Sequence, residues 1–151
     1  PFGNELCMVE ATGQQILDAL EMGARVTPEE NGGFLQVSGL TYEIHTDMES
    51  TVKLDENGMF QGMLGDYRVQ NVMIGDEPLD PDKTYTVASH NYMLKNAGDG
   101  INMFTECELL LEDVMLDNQV LITYITEGLG GVVGEEYADP YGQGRIVAVE
   151  G

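Results

Sequence analysis

Residues 5–22, ELCMVEATGQQILDALEM, switch hydrophobic period at one residue. Glu5 to Ala11 alternates apolar and polar side chains, the pattern of a half-buried strand. Thr12 then opens a different pattern. Thr12 and Gln15 form T-x-x-Q, a capping box in which each side chain satisfies a backbone donor of the first helical turn. Ile16, Leu17, Ala19 and Leu20 supply an apolar stripe, and Gly23 is a natural stop. A helix is therefore expected over 13–22, entered directly from a strand.

The remaining β-rich runs are short and grouped. Phe34 to Ile44 is rich in β-formers, with a bulge or kink expected at Ser38-Gly39. Thr51 to Leu54, Tyr67 to Ile74, Thr84 to Ser89 and Arg145 to Val149 read as further strands. Gly75 to Pro78 and Leu79 to Asp82 read as turns. Asn31-Gly32-Gly33 and Asn96 to Asn102 read as loops. A second helix is expected over Glu112 to Glu127. Grouped strands between two helices, without a strict βαβ rhythm, favour an α+β fold with mixed β-sheets packed with a few helices.

At 151 residues the chain fits one domain. A domain of that size buries roughly 70 % of its unfolded surface, enough for a core without staples. No apolar run approaches the roughly 20 residues of a membrane span, so this segment is not expected to insert in a membrane. There are 27 acidic and 6 basic residues, a formal charge of −21. Such a surface repels nucleic acid and anionic membranes, which are excluded as partners. It suits a secreted or salt-tolerant protein. Cys7 and Cys107 form no C-x-x-C pair, which removes a zinc ribbon. Two free thiols are the default, and a disulfide requires the fold to bring them together.

Standalone catalytic motifs are not found. His45 and His90 are isolated, outside any H-E-x-x-H spacing, and no G-x-S-x-G, Walker or G-x-G-x-x-G pattern occurs. Asp80-Pro81-Asp82 and Asp55 to Gly58 lack the ligand order of a calcium loop and read as turns. Two stretches carry chemistry. In PFGN, residues 1–4, an extended backbone would point Phe2 and Asn4 to one side. A ring face beside an amide edge suits a nucleobase, though a core Phe beside a turn Asn fits the spacing too. In HNYMLKNAGDG, residues 90–100, an aromatic precedes an acid held between Gly98 and Gly100. Those glycines allow close approach to a ligand. Asp99 on such a loop is suited to accept both hydroxyls of a ribose, with an ordinary Gly-Asp-Gly turn as the alternative.

Together these stretches resemble the C-terminal, substrate-specificity domain of the 5′-nucleotidase and UDP-sugar hydrolase family. PFGN, the following strand and Thr12-Gly13 come first. GGFLQVSGLTYEI, VMIGDEPLDPDKTYTVAS, the GDG loop and GRIVAV follow in the family's order. The resemblance spans residues 1–151 as one domain. It implies that the upstream part of the domain and an N-terminal metallophosphoesterase domain are missing, so that Pro1 is a cut rather than a native start. It implies a parent enzyme, extracellular, cell-surface or periplasmic, that hydrolyses nucleoside 5′-phosphates or related nucleotides. Two divalent metal ions belong to the missing domain and none to this chain, which carries no catalytic residue of its own.

The resemblance also assigns roles. Phe2 is the first ring of an aromatic sandwich around the base, Asn4 contacts the base, and Asp99 binds the ribose between Gly98 and Gly100. The position of the second ring is Met93, with Tyr92 one residue earlier. Tyr92 is preferred as the stacking residue; otherwise the Met93 thioether covers the base. The family's G-G-D-G reads Ala97-Gly98-Asp99-Gly100 here. Arg25, Arg68 and Arg145 do not match its substrate-binding arginines. The competing expectation is an acidic surface module that keeps the fold and has lost the ligand site.

Overall fold

The computed structural model describes residues 2–139 and 142–150. Strand β1 (Leu6–Thr12) runs straight into helix α1 (Gly13–Ala24). Strands β2 (Leu40–His45), β3 (Val52–Leu54), β4 (Phe60–Met63), β5 (Val69–Ile74), β6 (Glu77–Pro78) and β7 (Thr84–His90) follow. Helix α2 (Asn91–Leu94), strand β8 (Glu108–Leu111), helix α3 (Asp117–Thr123) and strand β9 (Ile146–Val149) complete the order. One sheet has the order β7-β1-β8, a second β6-β5-β2-β9, and β3-β4 is a separate hairpin. All pairings are antiparallel except β2 with β9. The α+β class with mixed sheets is therefore what the chain adopts.

The join between β1 and α1 is a complete capping box. The Thr12 N–H donates to Gln15 Oε1 at 2.9 Å, and the Gln15 N–H donates to Thr12 Oγ1 at 3.2 Å. Helix α1 packs against both β1 and β5, which ties the two larger sheets together. Its stripe of Ile16, Ala19 and Leu20 meets Cys7, Val9 and Ala11 of β1 and Tyr42 and Ile44 of β2 in one buried cluster. Each fully buried Leu or Ile contributes about 1.5–3 kcal/mol relative to exposure. Arg68, itself buried, closes the end of α1. Its guanidinium donates to the carbonyls of Thr27 (2.8 Å), His45 (3.2 Å), Ala24 and Arg25 (both 3.4 Å).

Several boundaries differ from the sequence reading. The helix does not stop before Gly23; it runs to Ala24. Gly23 serves close packing instead, since a Cβ there would lie 3.2 Å from the Gly33 carbonyl oxygen and from Leu35. Of Phe34 to Ile44, only Leu40 onward pairs as a strand. Phe34, Leu35 and Val37 still pack on the core without a ladder. The second helix begins at Asp117, not Glu112, and ends in a wide π-type turn over Tyr124–Gly128. Asp113 has φ +47, which no helix tolerates, and Leu109 to Leu111 pair with β1 instead. Both cysteines are free, Cys7 buried and Cys107 half-buried. The Cys7 thiol sits beside Asp113 Oδ1 at 3.4 Å, and burial pushes its pKa up.

Candidate nucleotide-recognition site

The β1–β7 register places Leu6 opposite His90, so the residues leading into β1 meet the chain where β7 becomes α2. The contact is reciprocal. The Glu5 N–H donates to Asn91 Oδ1 at 3.2 Å, and the Asn91 N–H donates to the Glu5 carbonyl at 2.8 Å. On the other side, the Asp117 N–H donates to the Asn4 carbonyl at 2.9 Å. Residues 4–6 are thus held between α2 and the start of α3. Phe2 lies beyond this clamp and is 86 % exposed. Asn4 is half-buried. Gly3 has φ +70, so Phe2 to Asn4 is not extended, and a two-residue alternation does not relate Phe2 to Asn4.

Helix α2 is short and capped by a side chain. His90 Nδ1 accepts from the Met93 N–H at 3.3 Å, which gives His90 a structural role as the cap of the helix. Successive helical residues diverge by about 100°. Met93 accordingly turns into the core at 9 % exposure, whereas Tyr92 stands at the surface at 44 %. The Tyr92 ring lies against Gly98, where any Cβ would collide with it. Lys95 holds the C-terminal end of α2 through Asp113, at 3.0 Å, and Glu112. The Lys95 ammonium draws the Asp113 carboxyl below the ordinary carboxylate range.

The loop that follows turns sharply. Ala97, Asp99 and Gly100 all have positive φ, at +53, +56 and +81. Ala97 thus occupies a left-handed conformation that a glycine would enter more easily. Gly98 and Gly100 are buried and Asp99 is exposed between them. A Cβ on Gly100 would collide with the Gly58 carbonyl and lie 2.6 Å from the Met22 methyl. This strained loop presents one acid outward from a rigid base, an arrangement that recurs at ligand sites.

The fold therefore packs the exposed Tyr92 on the buried Gly98, next in the chain to the exposed Asp99 and the buried Gly100, with Glu5 anchoring the lead-in to Asn91. Met93 is part of the core beneath. The sequence reading missed the loop behind Asp99. Gly33 backs the acid and is itself held by Asn31, although Asn-Gly-Gly by itself signals only a turn. All three arginines are engaged on backbone carbonyls: Arg25 on Met22, Arg68 as above and Arg145 on Val37. Among the described residues, no three His, Cys, Asp or Glu side chains converge to hold a metal ion. An apolar groove of about 460 Å³ runs along β7, lined by Leu35, Val37, Tyr85, Val87 and Phe104. Of the candidate site it touches only Met93, so it lies behind the polar groups rather than among them.

The chain matches known proteins along most of its length. The family model described as 5′-nucleotidase, C-terminal domain, covers residues 1–106. The trifunctional nucleotide phosphoesterase protein YfkN of Bacillus subtilis is 35 % identical over 111 residues, 70 % of this chain and 6 % of its own length. Cell wall protein Lmo0130 of Listeria monocytogenes is 33 % identical over 84 % of this chain and 14 % of its own. The crystal structure of a 5′-nucleotidase precursor from Thermus thermophilus superposes with a TM-score of 0.76 at 30 % identity, over 99 % of this chain and 26 % of that one. The chain spans about a quarter or less of each of these relatives. No helix among the described residues is long and apolar enough to cross a membrane. Since the matched segment takes in PFGN, α2 and the Gly-Asp-Gly loop, the chain belongs to the 5′-nucleotidase C-terminal domain family.

Proposed function

We propose that this chain is the nucleotide-recognition part of a 5′-nucleotidase acting on nucleoside 5′-phosphates or related nucleotides. The observation that carries the reading is the Tyr92 ring packed on Gly98, next in the chain to the exposed Asp99. Phe2 and Tyr92 stack the base from opposite faces, and Asn4 reads its edge. Asp99 accepts the ribose hydroxyls, with Gly98 and Gly100 allowing close approach. The phosphate chemistry belongs to a preceding metallophosphoesterase domain with two divalent ions about 4 Å apart. That domain and the upstream part of this one complete the enzyme. An extracellular, cell-surface or periplasmic location goes with this reading and is supported by the cell wall relative; the acidic surface is compatible with it.

Calorimetric titration of the chain with adenosine tests this. Saturable binding that Asp99→Ala weakens at least about tenfold is expected, in line with roughly 1.5–3 kcal/mol for a hydrogen bond to a charged group. In the intact enzyme the same substitution raises KM for nucleotide by a similar factor. Saturable binding that is indifferent to both Phe2→Ala and Asp99→Ala would remove the assigned roles. No binding to the chain or to a longer form with the upstream segment would favour the acidic surface module, a reading the cell wall relative also accommodates.

A further inference from the structure

Asp99 is held in place by shape rather than by bonds. No hydrogen bond or ion pair among the described residues engages its carboxylate. What backs it is Gly33, where a Cβ would lie 2.7 Å from Asp99 Cβ and 3.1 Å from its Cγ. Gly33 is buried, and its φ lies outside the left-handed region, so closeness and not backbone conformation is what calls for glycine there.

Gly33 is itself fixed. Asn31 Nδ2 donates to the Gly23 carbonyl in the last turn of α1 at 2.8 Å, and the Gly33 N–H donates back to Asn31 Oδ1 at 3.1 Å. On its far side the Gly33 carbonyl leaves only 3.2 Å for a Cβ on Gly23. The end of α1, the Asn31–Gly33 turn and Asp99 therefore form one close-packed row.

We infer that Gly33 sets the ribose selectivity of the site by fixing where the Asp99 carboxylate stands. The inference rests on the nucleotide-recognition reading above and adds a positioning residue to it. Accepting a vicinal diol uses both carboxylate oxygens at once, each within about 0.3 Å of its preferred distance. A methyl group at position 33 must push Asp99 outward by several tenths of an ångström, which breaks that two-point fit. A sugar with one hydroxyl engages one oxygen and follows the displaced carboxylate by a small rotation.

The test titrates the full chain with adenosine and with 2′-deoxyadenosine. The chain should prefer adenosine by about tenfold, the worth of one charge-assisted hydrogen bond. Gly33→Ala should reduce that preference to under about threefold, mainly by weakening adenosine. A purely structural defect would weaken both ligands alike and leave the ratio intact. Should Gly33→Ala fail to fold by circular dichroism, Asn31→Ala supplies the same readout. It releases the turn from α1 without adding an atom against Asp99, and it too should narrow the preference. An unchanged ratio in a folded variant, or equal wild-type affinities, overturns the role of Gly33 while leaving nucleoside binding in place. Absence of adenosine binding both by the wild-type chain and by the longer form with the upstream segment overturns the underlying reading as well.

Discussion

The Tyr92 ring rests on Gly98 so closely that Gly98 has no room for a side chain. Gly98 is not in the left-handed region, so the constraint comes from the ring alone. Gly98→Ala should therefore cost about 1–3 kcal/mol of stability, the usual range for overpacking. In a Tyr92→Ala background the same change should cost much less. A double-mutant cycle by chemical denaturation measures this coupling. Additive effects would mean that the ring does not hold this position in solution.

Phe2 separates stability from recognition. At 86 % exposure its truncation should change stability by less than about 0.5 kcal/mol. A base–aromatic stack is worth about 1–3 kcal/mol, so nucleoside affinity should fall by roughly fivefold to about 150-fold. Thermal melting and titration of Phe2→Ala check both halves. A large drop in melting temperature would place Phe2 in the core instead.

Ala97 carries a methyl in a left-handed backbone, at φ +53. That conformation costs a non-glycine residue about 1–2 kcal/mol, whereas the added flexibility of glycine in the unfolded chain costs about 0.5–1 kcal/mol. The first effect is the larger. Ala97→Gly should thus stabilise the chain by about 0.5–1 kcal/mol, read as a higher denaturation midpoint at unchanged slope.

Glu21 is buried with one oxygen on the Val69 N–H at 2.7 Å and the other without a hydrogen-bond partner among the described residues. Burial raises its folded-state pKa above the ordinary 4.5. The folded chain then holds this proton more tightly than the unfolded chain. Stability from Glu21 is full below about pH 4.5 and is lost as pH rises through the raised folded value. Glu21→Gln keeps an acceptor for Val69 and removes the titration. The variant should lose less stability than wild type between about pH 4.5 and neutrality. Mutual repulsion among the other acids is common to both proteins, so the difference between their profiles isolates Glu21. Parallel profiles would show that Glu21 does not titrate in this window.

Elements governed by neighbours in sequence were legible from sequence. The Thr12–Gln15 box and the alternation of β1 involve contacts within a few residues, and both form as expected. The strands at Val69–Ile74 and Thr84–His90 were likewise readable from β-branched and aromatic runs. Leu109 to Leu111 was not, because three successive leucines fit a helix as well as a strand. Pairing with β1, 100 residues away by the Val9–Leu109 register, is what decides it. Glu112 likewise reads as a helical residue until Lys95 draws it and Asp113 into a turn.

For the site, sequence by itself determined the residue types and the chemistry they can perform: an aromatic two residues from an amide, and an acid between glycines. Tertiary structure alone decided their arrangement. Antiparallel pairing of Leu6 with His90 carries Glu5 to Asn91 of α2, across more than 80 positions of chain. The turn of α2 sends Met93 inward and leaves Tyr92 outside. Gly33 comes to stand behind Asp99 because α1 and the Asn31 turn are packed there, and such a contact depends on the closed core rather than on any local preference.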